Sequence, residues 1–205
     1  MALDPKAVFK AECPWLGELP SINALSDPAA IFSALPEPRP LVDTEVPLAL
    51  HAPPHTAEVF DPSTFPLIVD WIVSIVQEEK YEALAGSGHS GLLPMAAACY
   101  RLGLPMLAVR KYDERPKGST GRVNGVLPHR PIRYALVDDF VASGETVERV
   151  DNEMSKAFPQ ATFAGLILFR TRPDCVESTR SDCARALGTE RAAELTIHGR
   201  YTLRP

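Results

Sequence analysis

Hydrophobic positions change their pattern near residue 66. Before it the chain is punctuated by proline, in stretches such as LPEPRPLV and HAPPHTAEVFDPSTFP, where helix interiors are excluded and extended or turn structure is favoured. After it, residues 65–83, FPLIVDWIVSIVQEEKYEA, place Ile68, Trp71, Ile72, Ile75 and Val76 at helical spacing, which predicts an amphipathic helix. YEALAGSGHSG (81–91) reads as a short strand breaking into a glycine loop, and LLPMAAACYRLG (92–103) as a helix closed by Gly103. LPMLAVRK (104–111) reads as a buried strand. Residues 111–131 have no apolar period and are rich in Gly, Pro and basic side chains, which predicts a long loop. RYALVDDFVASGETVERV (133–150) supplies a strand, a small-residue loop and a helix, and TFAGLILFRTR (162–172) a further strand. Strands alternating with helices imply an α/β fold, an open and mostly parallel sheet flanked by helices. The expected organisation is a Pro-rich arm or hood over 1–65, a core over 66–172, and a segment over 173–205 that completes core or hood. No internal repeat or low-complexity tract interrupts it.

Composition narrows the function classes. A chain of 205 residues with 45% hydrophobic and 23% charged residues suits one sizeable core. The net charge of −5 disfavours a general nucleic-acid or anionic-membrane binder, so any polyanion site must be local. No apolar run approaches the roughly 20 residues of a membrane helix, and no secretory leader pattern opens the chain, so the cytoplasm is the expected location. Cys13, Cys99, Cys175 and Cys183 have no paired spacing and read as thiols. His51 and His55 are separated by two prolines, which rules against a helical metal pair, and Trp15 and Trp71 read as packing residues.

Chemistry concentrates where strands surface. In sheets of this type ligands bind outside the carboxyl ends of the strands, and the loops AGSGHSG and FVASGET both open there. Small residues entering a helix free backbone N–H groups for an anion, and Ser143 and Thr146 add hydroxyls. Asp138 and Asp139 just before them would repel a phosphate unless they serve something hydroxylated, such as the vicinal hydroxyls of a ribose, or a metal. A ribose 5-phosphate meets both demands.

ALVDDFVASGET resembles the diphosphate-sugar-binding motif of the type I phosphoribosyltransferases: apolar residues, two acids, two apolar or small residues, then Ala/Thr-Ser/Thr-Gly-x-Thr. Upstream, GLLPMAAACYRLGLPMLAVRK (91–111) is similar to the helix, strand and Arg-Lys segment preceding the mobile loop of adenine and orotate phosphoribosyltransferases. The resemblance implies an enzyme that transfers the 5-phosphoribosyl group between phosphoribosyl pyrophosphate and a nitrogenous base, forming a nucleotide and pyrophosphate, with Mg²⁺ held mainly through the ligand and in part through Asp138 and Asp139. It implies that Asp138 and Asp139 hold the ribose hydroxyls and that Ala142, Ser143, Gly144, Glu145 and Thr146 hold the 5-phosphate. Ser87, Gly88, His89, Ser90 and Gly91 would face pyrophosphate, with cations from Arg110, Lys111, Arg115, Lys117 and Arg122. Arg172 stands where orotate enzymes place a base-facing arginine. Two departures are visible: Glu145 replaces the glycine of many relatives, and no histidine follows the loop lysines, where Lys117 and Gly118 stand. The expected partners are phosphoribosyl pyrophosphate, pyrophosphate, and a nucleobase or nucleoside 5′-monophosphate, with a homodimer as the assembly. The alternative is a phosphoribosyltransferase-fold regulatory protein that binds the nucleotide without turnover.

Overall fold

A computed structural model describes residues 57–111 and 121–200. Two helices lead in, α1 (Ala57–Phe60) and α2 (Phe65–Glu79), followed by β1 (Ala83–Gly86), α3 (Gly88–Leu102) and β2 (Met106–Val109). The chain continues through β3 (Val123–Asn124), β4 (Ile132–Asp138), α4 (Glu145–Ala157) and β5 (Ala161–Leu168). A 3₁₀ turn (Pro173–Cys175), α5 (Val176–Leu187), α6 (Thr189–Ala193) and β6 (Thr196–Gly199) complete it. The six strands form one sheet in the order β3-β2-β1-β4-β5-β6, parallel throughout except for β3, which pairs antiparallel with β2.

The two-residue period of a strand divides the core in two. Ala83 and Ala85 of β1, with Tyr134 and Leu136 of β4, pack on Val147, Val150 and Met154 of α4 and Cys183 of α5. Their neighbours in sequence, Leu84, Ala135 and Val137, face the other way, onto Ile68, Ile72 and Val76 of α2 and Met95 and Ala98 of α3. Burial of each large aliphatic side chain contributes about 1.5–3 kcal/mol, so both faces hold their helices firmly. The open parallel sheet covered on both sides is the architecture expected from the hydrophobic pattern.

Two local differences from the pattern have physical causes. The glycine loop after β1 is almost absent, because Ser87 is the N-cap and the helix already begins at Gly88. The long loop after β2 contains β3, a two-residue strand too short to show an alternation. The stretch after residue 172 adds two helices and the edge strand β6, which pairs with β5. No helix among the described residues is long and apolar enough to cross a membrane.

Candidate functional site

β1 and β4 lie side by side and end together, Gly86 opposite Val137. β1 passes almost directly into α3 and β4 passes through the loop 139–144 into α4, and both helix starts border the same space. At the start of α3, Ser87 is extended and Gly88 takes a left-handed φ of 69°. A side chain at Gly91 would stand 2.5 Å from the Val137 carbonyl, so the helix start rests on the end of β4 only because Gly91 has none. At the start of α4, Gly144 is left-handed (φ 85°), and the Glu145 amide donates to Ser143 Oγ at 3.4 Å.

Between these helix starts lies a cleft of about 520 Å³. Ser87, Gly88, His89 and Ser90 line it from α3, and Ala142, Ser143, Gly144 and Thr146 from the loop and start of α4. Asp138, Asp139, Lys111 and Arg149 bring ionisable groups into it, and the exposed rings of Phe60 and Phe140 form part of its wall. Two helix N-termini therefore flank one acid pair.

The acids are buried, Asp138 at 7% and Asp139 at 6% exposure. Asp138 Oδ1 accepts from Ser90 Oγ at 3.1 Å and from the Asp139 amide at 2.9 Å, while Asp139 Oδ1 accepts the Phe140 amide at 3.1 Å. Burial, followed by the negative charge of Asp139 alongside, pushes the Asp138 carboxyl up to about 8. The direction of this shift favours the protonated form of Asp138.

Of the residues expected at the site, Asp138, Asp139, Ala142, Ser143, Gly144, Thr146, Ser87, Gly88, His89, Ser90 and Lys111 line this cleft together. A side chain at Gly88 would meet Lys111 Cε at 3.2 Å and Nζ at 3.5 Å, which puts the ammonium over the α3 terminus. Gly91 lies one turn into α3, beneath the cleft, and the side chain of Glu145 is exposed outside its lining. Arg110 and Arg122 are not part of the lining: Arg110 Nη2 lies 3.5 Å from Asn124 Oδ1 on β3, and Arg122 Nη1 donates to the Lys111 carbonyl at 2.9 Å. Arg172 bridges Asp174 through two hydrogen bonds of 2.8 and 2.7 Å, also outside the lining. Arg115 and Lys117 lie outside the described residues, as do Trp15, His51 and His55.

Among the lining residues that the sequence reading did not name, Phe60 and Arg149 stand out. Phe60 lies in the stretch taken as an irregular arm, where nothing marked it. Arg149 had a usable signal, since it stands one helical turn after Thr146 and so shares its face. Its Nη2 donates to Ser87 Oγ at 3.1 Å and to Thr146 Oγ1 at 3.4 Å.

No group of three or more His, Cys, Asp or Glu residues that could hold a metal occurs among the described residues. The acid pair offers two carboxylates, a set that suits Mg²⁺ only when substrate oxygens and water complete its shell.

No family model matches the chain. Over 116 residues it is 28% identical to an adenine phosphoribosyltransferase of Parvibaculum lavamentivorans, covering 50% of this chain and 65% of that one. Over 103 residues it is 29% identical to an orotate phosphoribosyltransferase of Cutibacterium acnes, covering 48% and 47%. The chain thus spans between about half and two thirds of the length of these curated relatives. Among solved structures, an adenine phosphoribosyltransferase of Trypanosoma brucei in complex with AMP, pyrophosphate and ribose-5-phosphate matches with a TM-score of 0.52 at 16% identity, over 71% of this chain and 66% of that one. An orotate phosphoribosyltransferase of Aeropyrum pernix matches with a TM-score of 0.52 at 19% identity, over 72% and 75%. These likenesses fix the architecture of the sheet and its helices.

Proposed function

We propose that this chain, which has the fold of the type I phosphoribosyltransferases, transfers a 5-phosphoribosyl group between phosphoribosyl pyrophosphate and a nitrogenous base, giving a nucleotide and pyrophosphate. The observation that carries this reading is the single cleft in which a buried acid pair lies between two helix N-termini built from glycine, serine and threonine. A sugar with one hydroxylated edge and an anion at each end matches that arrangement of acceptors and donors.

In this reading the amides and hydroxyls of Ser143 to Thr146 hold the 5-phosphate, and Asp138 and Asp139 meet the ribose hydroxyls. The start of α3, with Lys111 above it, faces the pyrophosphate. As the bond between ribose C1 and the pyrophosphate oxygen breaks, its electron pair leaves with pyrophosphate. The base nitrogen supplies the pair for the new bond to C1, and a proton on that nitrogen passes to solvent. Positive charge gathers on the ribose ring and negative charge on the leaving group, so catalysis consists of fixing both partners and neutralising pyrophosphate. Lys111 and the α3 amides are placed to do the latter. Mg²⁺, when bound with the substrate, supplies further charge neutralisation through the phosphate oxygens.

The relatives named above point to adenine or orotate as the class of acceptor to test first. A cytoplasmic homodimer is the assembly proposed with this activity. Titration calorimetry of the full chain with phosphoribosyl pyrophosphate and Mg²⁺, and with nucleoside 5′-monophosphates, tests the site directly. Saturable binding is expected, and absence of binding to every one of these ligands overturns the assignment. Binding of the same ligands without pyrophosphate release would instead favour a regulatory nucleotide-binding protein.

A further inference from the structure

We propose that Arg149 is a positioning residue that orients the Ser87 and Thr146 hydroxyls as donors into the cleft and places a positive charge between its two anion-facing ends. The inference rests on the phosphoribosyl-transfer reading and adds to it a residue outside the motif that suggested it.

Arg149 is only 7% exposed, yet it reaches the cleft lining. Its Nη2 contacts Ser87 Oγ at 3.1 Å and Thr146 Oγ1 at 3.4 Å. A guanidinium has donors and no acceptor, and each Nη carries two hydrogens, so one nitrogen serves both hydroxyl oxygens. A hydroxyl that accepts from arginine must direct its own proton elsewhere. Ser87 and Thr146 both line the cleft, so their protons are available to acceptors within it.

The two hydroxyls come from the two helix starts that border the cleft. Ser87 caps α3, where pyrophosphate is expected, and Thr146 lies in the first turn of α4, where the 5-phosphate is expected. They are brought together across 59 residues of sequence by a side chain on α4. A planar, permanently charged group suits this task, because it keeps its charge when buried and fixes two partners at once. The ligand class that fits is a sugar bearing anions at both ends, for which one cation stabilises both contacts.

The test measures binding of inorganic pyrophosphate and of phosphoribosyl pyrophosphate by calorimetry, with folding checked by circular dichroism and thermal melting. Arg149→Met, which keeps an unbranched stem and removes charge and donors, is expected to weaken both ligands by about tenfold or more. Arg149→Lys should recover part of the loss. In a Ser87→Ala, Thr146→Val background, Arg149→Met should cost markedly less, because the groups it acts through are gone. Should Arg149→Met not fold, Arg149→Lys in the two backgrounds makes the same comparison. Unchanged affinity in the Arg149 variants, or equal losses in both backgrounds, overturns the inference while leaving the transfer reading intact. A wild-type chain that binds neither ligand overturns both.

Discussion

Asp138 and Asp139 are adjacent and both buried, yet the structure makes them unequal. A carboxyl in an unfolded chain ionises near 4, whereas Asp138 keeps its proton up to about 8. Between those values the folded chain binds one more proton than the unfolded chain, so stability from this group falls as pH rises from about 4 to about 8. Asp138→Asn retains the oxygen that accepts from Ser90 and from the Asp139 amide but cannot ionise. It is expected to flatten that slope and to stabilise the ligand-free protein at pH 8 by on the order of 1 kcal/mol, read from urea unfolding at pH 6 and pH 8. An unaltered slope would show that Asp138 is not the group responsible. Asp138→Asn and Asp139→Asn should each weaken ribose-ligand binding, by roughly 1.5–3 kcal/mol for a lost charged hydrogen bond. Calorimetry on the two single variants decides this, and unchanged affinity in both would contradict the role given to the acid pair.

Among the elements, the start of α4 shows how the site depends on packing behind it. Gly144 is left-handed, and a side chain there would meet Ala186 Cβ at 2.8 Å and the Asp182 carbonyl at 2.9 Å on α5. Gly144→Ala is therefore expected to cost roughly 2 kcal/mol of stability, from backbone strain and overpacking together. It should also weaken phosphate binding by moving the helix start. A thermal melt that matches the wild type would show that α5 yields at no cost. This dependence on α5 was not legible in the sequence, where Gly144 reads simply as part of a phosphate loop. Alternating strands and helices were legible because Ile68, Ile72 and Val76 carry a helical period and the apolar run ending at Val137 a strand. The acid pair and the loop after it were legible because the spacing of polar side chains is local. Phe60, β3 and the grouping of Lys111 with Gly88 were not, since each arises from contacts between segments far apart in sequence. Arg149 lay between these cases: its helical phase with Thr146 was readable, but its approach to Ser87 was not.

At the scale of the whole molecule, several large apolar side chains are exposed among the described residues. Leu93 and Tyr100, seven residues apart on α3, share a face, and Tyr100 is 61% exposed. Tyr100 also borders a shallow groove with Phe65, Pro66 and Val69 of α2. Such a patch supports the proposed homodimer. Light scattering at micromolar concentration should then give about twice the 22.4 kDa chain mass, and Tyr100→Glu should shift it toward the monomer. A monomer mass for the wild-type chain would contradict this assembly. The central claim, that this fold and cleft perform phosphoribosyl transfer, is tested most directly by following pyrophosphate release from phosphoribosyl pyrophosphate and Mg²⁺ with a panel of adenine, orotate, guanine, hypoxanthine, xanthine and uracil. The account predicts release that depends on one or a few of these bases and is abolished in the Asp138→Asn, Asp139→Asn double variant. Release with none of them, from a chain that also fails to bind phosphoribosyl pyrophosphate, would contradict it.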